Sequence, residues 1–261
     1  EQLLATMPDA MAHVMFTCTG SEAGDLALRI AKHRTGGTGV IVTRNAYHGV
    51  TTEMAAVSPS LGGLDMLAPW VRTVPAPDLY RVDTTGYDGL GEWFAAQVAA
   101  AIDDLRSAGI RFAAFIADSI FSSDGVYPDP AGFLAPARRV VAQAGGLWIA
   151  DEVQPGFGRT GDAMWGFARH DGDEPFVPDL VVMGKPMGNG MPVAAAAMTH
   201  DVVEAFGRDQ RYFNTFGGNA MAIAAAQAVL DVIHQDRLQE GAARVGAAMR
   251  SDLSALSLGH P

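Results

Sequence analysis

Short apolar runs without polar alternation recur along this chain, and stretches of helical spacing separate them. Phe112–Ala117 (FAAFIA), Leu147–Ala150, Asp179–Met183 and Val193–Met198 are of this kind. A strand with one wet face alternates apolar and polar residues, whereas a strand covered on both faces does not. These runs therefore predict a mostly parallel sheet with helices on both sides, a three-layer α/β fold. Val40–Thr43 and a weaker Val71–Val74 join the set, and Ala10–Thr17 reads as a helix end running into a short strand. Helices are predicted over Glu22–Arg34, Leu90–Leu105, Pro128–Gln143, Asn219–Ile233 and Leu238–Leu256, by apolar recurrence at three and four residues. Asp129-Pro130 reads as the cap and first residue of the third of these. Asp201 reads as the cap of a further short helix.

Composition excludes several classes of function. The formal net charge is −11 and no basic run occurs, so neither nucleic acid nor an anionic membrane surface is an expected partner. A single cysteine, Cys18, rules out an internal disulfide framework and a cysteine-based zinc site, and fits a reducing, cytoplasmic setting. The seven histidines are scattered without metal-ligand spacing, and no metal is expected. No apolar run approaches the roughly 18 residues of a membrane span. The chain opens inside one amphipathic helical pattern and closes just after another, which reads as an internal piece of a longer protein.

In open parallel sheets, ligands sit at the C-terminal ends of the strands. Four groups of residues fall there. Gly20-Ser21 lies between a strand and a helix, where Ser21 can cap and exposed N–H groups can hold a phosphate; an ordinary cap and turn is the plainer alternative. Asp151 ends a buried strand and needs a partner, either a structural cation or a functional one. Tyr47-His48-Gly49 joins an aromatic ring to a glycine turn. Lys185 lies between a buried strand and a Gly/Pro-rich loop, where burial would free its amine as a nucleophile. Only two lysines occur among the 18 basic residues, and the other, Lys32, reads as solvated on a helix beside His33 and Arg34. A phosphate cup, an aromatic plate, an aspartate and a lysine are together the equipment for pyridoxal 5'-phosphate.

The chain resembles the class III aminotransferases, enzymes of the fold type I pyridoxal-phosphate group. The resemblance runs through Thr19-Gly-Ser-Glu-Ala, Ala46-Tyr-His-Gly, Ile149-Ala-Asp-Glu-Val-Gln-Pro-Gly-Phe-Gly-Arg-Thr-Gly, Gly184-Lys-Pro-Met-Gly-Asn-Gly and Asn214-Thr-Phe-Gly-Gly-Asn. It implies that residues 1–261 form the large cofactor-binding domain, without the family's N-terminal segment and C-terminal small domain. It further implies ping-pong transfer of an amino group from an amino acid or amine to a 2-oxo acid, with Lys185 as the Schiff-base lysine and proton shuttle. Asp151 would pair with the pyridinium nitrogen, Val153 and Tyr47 would cover the two ring faces, and Gln154 would bond the phenolic oxygen. Gly20 and Ser21 would bind the phosphate. Thr215 would reach the phosphate of a neighbouring subunit in a homodimer with shared sites. His48 falls among the cofactor-binding positions, but like Glu152 and Arg159 it receives no chemical role.

The family often shows Glu-Pro after its middle strand, where this chain reads Ala117-Asp118-Ser-Ile-Phe-Ser-Ser-Asp-Gly125. That stretch borders the substrate. Gly184-Lys-Pro-Met-Gly-Asn-Gly and Tyr212-Phe-Asn-Thr most resemble the branch holding alanine–glyoxylate transaminases and amino-alcohol-phosphate phospho-lyases. Asp118 and Asp124 would repel a phosphate dianion and no lysine or arginine accompanies them, so charge favours transamination over phosphate elimination. A catalytically incomplete cofactor-binding fragment is the third alternative.

Overall fold

The structure, a computed structural model, describes residues 1–172 and 174–257, with Met66 and Ser257 described by backbone alone. The elements run β1 (Met11–Thr17), α1 (Gly20–Thr35), β2 (Gly39–Thr43), α2 (Thr52–Ala55), β3 (Val71–Val74), α3 (Gly89–Ser107), β4 (Phe112–Asp118), α4 (Ala135–Gln143) and β5 (Leu147–Asp151). They continue through β6 (Leu180–Met183), β7 (Ala194–Thr199), α5 (His200–Asp209), α6 (Ala220–Gln235) and α7 (Leu238–Ser257). The strands form one sheet in the order β1-β7-β6-β5-β4-β2-β3. Only β7 runs against its neighbours, so the sheet is mostly parallel, as expected.

The absence of alternation in the strands has a direct cause. Along β4, Ala114 and Ile116 belong to one apolar core, whereas Phe115 and Ala117 belong to the other. Along β5, Ile149 faces the first core, and Trp148 and Ala150 face the second. Helices α1 and α5 cover the first face, and α3 and α4 the second. Each fully buried large side chain, such as Ile41 or Phe115, contributes about 1.5–3 kcal/mol.

Three local expectations need correction. Helix α4 begins at Ala135 with Pro136 in its first turn, not at Asp129-Pro130. Asp129 instead pairs with Arg169 at 2.6 Å, a partner that local spacing cannot reveal. Thr199, not Asp201, is the residue before α5, and its hydroxyl donates to Asp201 Oδ1 at 2.9 Å. Helix α1 starts at Gly20, and Thr19 rather than Ser21 caps it.

Candidate active site

The loops at one edge of the sheet enclose an open cleft of about 480 Å³. It gathers residues at or just after the ends of β1 (Cys18–Ser21), β2 (Tyr47–Gly49), β4 (Asp118, Ser122, Ser123), β5 (Asp151, Val153, Gln154) and β6 (Gly184, Lys185). Because β7 is antiparallel, Val193, just before its first residue, meets the same edge. The cleft thus brings together Gly20, Ser21, Tyr47, His48, Asp151, Val153, Gln154 and Lys185. Thr215 lies outside it, on an exposed loop before α6.

The first turn of α1 shows what the cleft offers an anion. Thr19 Oγ1 accepts from Glu22 N at 3.2 Å, and Glu22 Oε2 accepts from Thr19 N at 3.2 Å and Cys18 N at 2.7 Å. This capping box leaves the Gly20 and Ser21 N–H groups without a hydrogen-bond partner among the described residues. A Cβ at Gly20 would lie 3.0 Å from Val153 Cγ2, so the helix start and Val153 pack as closely as a glycine allows. Ser21 Oγ accepts from Val50 N at 3.0 Å, which pins the Tyr47–Val50 loop to the same turn. Gly49 sits there at φ +144, where a Cβ would meet Ser21 Oγ at 2.5 Å.

Asp151 is buried at the end of β5. Its Oδ2 lies 2.7 Å from His48 Nδ1, and its Oδ1 accepts from Val153 N at 3.0 Å. His48 is therefore the carboxylate's partner within the chain, a role that sequence reasoning did not assign. His48 Nε2 remains buried without a hydrogen-bond partner among the described residues. Arg159 also gains a role: its Nε donates to the Gln154 carbonyl at 2.7 Å and fixes that loop.

The two lysines reverse their expected environments. Lys185 is exposed at the cleft wall, because it starts a run of turns rather than continuing β6 inward. Lys32 is not simply solvated. Its Nζ lies 2.6 Å from Glu53 Oε2 and 3.9 Å from the centre of the Trp70 ring.

The stretch after β4 divides. Asp118, Ser122 and Ser123 line the cleft. Asp124 does not, because Thr43 Oγ1 donates to its Oδ2 at 2.6 Å and Asn45 N to its Oδ1 at 3.1 Å. Ser119 turns into the core. Half-buried Asp118 is in register with Asp151 across the β4–β5 pair. Desolvation first, and the neighbouring Asp151 charge second, push the Asp118 carboxyl up to about 6.

These residues fit the phosphate, ring and aldehyde of pyridoxal phosphate. They supply unpaired helix N–H groups, an aspartate held at the end of a strand, an exposed amine and an aromatic side chain. Among the described residues, no cluster of three or more His, Cys, Asp or Glu could hold a metal, and no helix is long and apolar enough to cross a membrane.

Comparison with known proteins agrees with this architecture. An ethanolamine-phosphate phospho-lyase homolog from Caenorhabditis elegans is 36% identical over all of this chain and 58% of its own length. An alanine–glyoxylate aminotransferase 2 homolog from Arabidopsis thaliana is 39% identical over all of this chain and 52% of its own length. Among solved structures, a phospholyase from Arthrobacter in complex with phosphoethanolamine superposes with a TM-score of 0.87. It is 39% identical over 97% of this chain and 59% of its own. An omega transaminase from Pseudomonas jessenii in complex with PMP gives 0.86 at 28% identity, over all of this chain and 60% of its own. The chain thus spans about half the length of the curated relatives it matches. The family described as aminotransferase class III matches residues 1–260, and the chain belongs to it.

Proposed function

We propose that this chain is the cofactor-binding large domain of a longer pyridoxal-phosphate-dependent transaminase, which moves an amino group from an amino acid or amine to a 2-oxo acid. The observation that carries the reading is the convergence of Lys185, the Asp151–His48 pair and the start of α1 in one cleft. When bound, pyridoxal phosphate supplies an electron-withdrawing ring that stabilises negative charge developing at the substrate Cα. Lys185 Nζ would be the amine that holds the cofactor by its aldehyde carbon and, when free of it, the base that takes up the proton from the substrate Cα. Asp151 keeps the ring nitrogen protonated, and His48 holds Asp151 in place. The Gly20 and Ser21 N–H groups bind the phosphate at the positive end of α1. Tyr47 and Val153 cover the ring faces, and Gln154 bonds the phenolic oxygen.

A second reading, elimination of phosphate from an amino-alcohol phosphate, has specific support. Ser122 and Ser123 line the cleft while Asp124 faces away from it, which weakens the repulsion that two carboxylates would exert on a dianion. The likeness to the Arthrobacter phospholyase points the same way. Against it, Lys185 is the only lysine or arginine that lines the cleft among the described residues. The test offers L-alanine and phosphoethanolamine separately to the full-length protein loaded with pyridoxal phosphate, without an acceptor. A transaminase forms one equivalent of pyruvate and stops. Sustained release of inorganic phosphate from phosphoethanolamine establishes the second reading instead.

The working unit in this proposal is a homodimer in which Thr215, exposed and not part of the lining of its own cleft, serves the partner's cofactor. The lone thiol, Cys18, suits a reducing compartment, which we take to be the cytosol; the names of the Arabidopsis and a human relative place those proteins in mitochondria.

A further inference from the structure

Asp118 and Asp151 end adjacent strands in register, and each is followed by a residue that turns the other way. Successive side chains on a strand point to opposite faces. Asp118 and Asp151 line the cleft, whereas Ser119 and Glu152 are buried on the far side, with Trp165 and Phe167 in the core beneath α3 and α4. Glu152 is 0% exposed. Its carboxyl accepts from the Ser119 hydroxyl, from Gly166 N at 2.7 Å and from Phe167 N at 2.9 Å. Its own N–H donates to the Val182 carbonyl on β6 at 2.7 Å, and its carbonyl accepts from Gly156 N at 3.1 Å. The segment that supplies two of these donors is fastened a second time, because His170 Nε2 lies 3.2 Å from the Ser119 carbonyl.

One side chain thus ties together the ends of β4 and β5 and the far end of the loop that carries Val153 and Gln154. A buried carboxyl is a costly way merely to fill a core, since an apolar side chain of similar size would avoid the desolvation. Every group aimed at this one is a donor, which suits a carboxylate that can only accept. Burial pushes the Glu152 carboxyl up to about 7, with the charge of Asp118 adding to the rise and the three donors opposing it. The carboxyl therefore sits where its three bonds matter most, one residue from the aspartate of the proposed cofactor site.

We propose that Glu152 is a positioning residue of the cofactor site. From the face of the sheet opposite the cleft, it fixes Asp151 and Asp118 against the loop 153–167, so that the Asp151 carboxylate stays aimed at the cofactor's ring nitrogen. This rests on the pyridoxal-phosphate reading above. Glu152 itself touches neither cofactor nor substrate.

The test compares the full-length parent with Glu152→Gln and Ser119→Ala. Three quantities are measured: melting temperature without cofactor, the dissociation constant for added pyridoxal phosphate, and kcat and KM at saturating cofactor. In Glu152→Gln an amide NH2 replaces one acceptor oxygen and faces a backbone N–H. Its cofactor dissociation constant should rise at least about tenfold, the scale set by one buried donor left unpaired, with kcat falling and substrate KM little changed. Ser119→Ala removes one of the three donors and should show the same pattern more weakly. It also decides the matter if Glu152→Gln does not fold. Variants that melt earlier but bind cofactor and turn over within twofold of the parent overturn the proposal and leave Glu152 a structural residue. A folded parent that takes up no pyridoxal phosphate overturns the cofactor reading itself, a distinct outcome.

Discussion

His48 Nδ1 lies 2.7 Å from Asp151 Oδ2, with both side chains buried, although 103 positions separate them in sequence. The contact joins the loop after β2 to the end of β5 and fixes the direction of the Asp151 carboxylate before any ligand arrives. Asp151→Asn keeps the size of the side chain but removes the charge that would hold the ring nitrogen protonated. Turnover should fall at least about 100-fold, because breaking a buried charge pair costs several kcal/mol and each 1.4 kcal/mol is tenfold. Circular dichroism should show the fold retained. His48→Gln should cost less, about tenfold, since the carboxylate remains and only its orientation loosens. Turnover of Asp151→Asn within a few-fold of the parent would contradict the role.

Gly49→Ala probes the junction between the turn proposed to bind the phosphate and the Tyr47–Val50 loop. The residue sits at φ +144, and its new Cβ would meet Ser21 Oγ at 2.5 Å. Strain at such a φ and overpacking each cost about 1–3 kcal/mol. The bond from Val50 N to Ser21 Oγ should break, displacing Ser21 from the α1 start. Titration with pyridoxal phosphate should show weaker binding and differential scanning calorimetry a lower melting temperature. Unchanged cofactor affinity would show that this turn does not hold the phosphate.

His170 predicts a pH dependence of stability. It is fully buried, and desolvation by burial lowers its pKa from 6.5 to about 4. The unfolded chain therefore binds a proton between pH 6.5 and 4 that the folded chain resists. The stabilisation from neutral His170 is complete above pH 6.5 and is lost as pH falls through about 4. Asp118 and Glu152, raised to about 6 and 7, act with the opposite sign. They are common to the parent and a His170→Gln variant, so they cancel in the comparison. Chemical denaturation at several pH values should show the parent's advantage over His170→Gln shrinking by roughly 3 kcal/mol between pH 6.5 and 4. An advantage independent of pH would place the titration elsewhere.

Thr215→Ala tests the shared site. If the partner's Thr215 completes the phosphate cup, the variant should remain a dimer by sedimentation but bind pyridoxal phosphate several-fold more weakly, the loss of about one charge-assisted hydrogen bond. A fully active full-length monomer would contradict the arrangement.

The parts of this molecule that were readable in the sequence are those written as local pattern. Continuous apolar runs announced strands buried on both faces, and the alternation of Phe115 and Ile116 between two cores explains why no polar residue interrupts them. Strand direction leaves no such mark, so the antiparallel course of β7 was not readable. Asp129-Pro130 imitates a helix start, yet Asp129 is taken by Arg169 from 40 positions away. The motifs identified which residues meet in the cleft but not what holds them. His48 and Glu152 find partners brought near only by the fold, and two of the partners of Glu152 are backbone N–H groups, which no side-chain motif encodes. The apolar strand before Lys185 implies burial, but the chain turns outward at that point.

The assignment of Lys185 as the cofactor's anchor is the claim on which the rest depends. The direct measurement is borohydride reduction of the full-length protein after loading with pyridoxal phosphate, followed by peptide mapping. The cofactor adduct is predicted on Lys185, within the peptide that contains Gly184-Lys-Pro-Met-Gly-Asn-Gly. An adduct on Lys32, whose amine is already held by Glu53 and Trp70, or no adduct in a folded protein, would contradict the account.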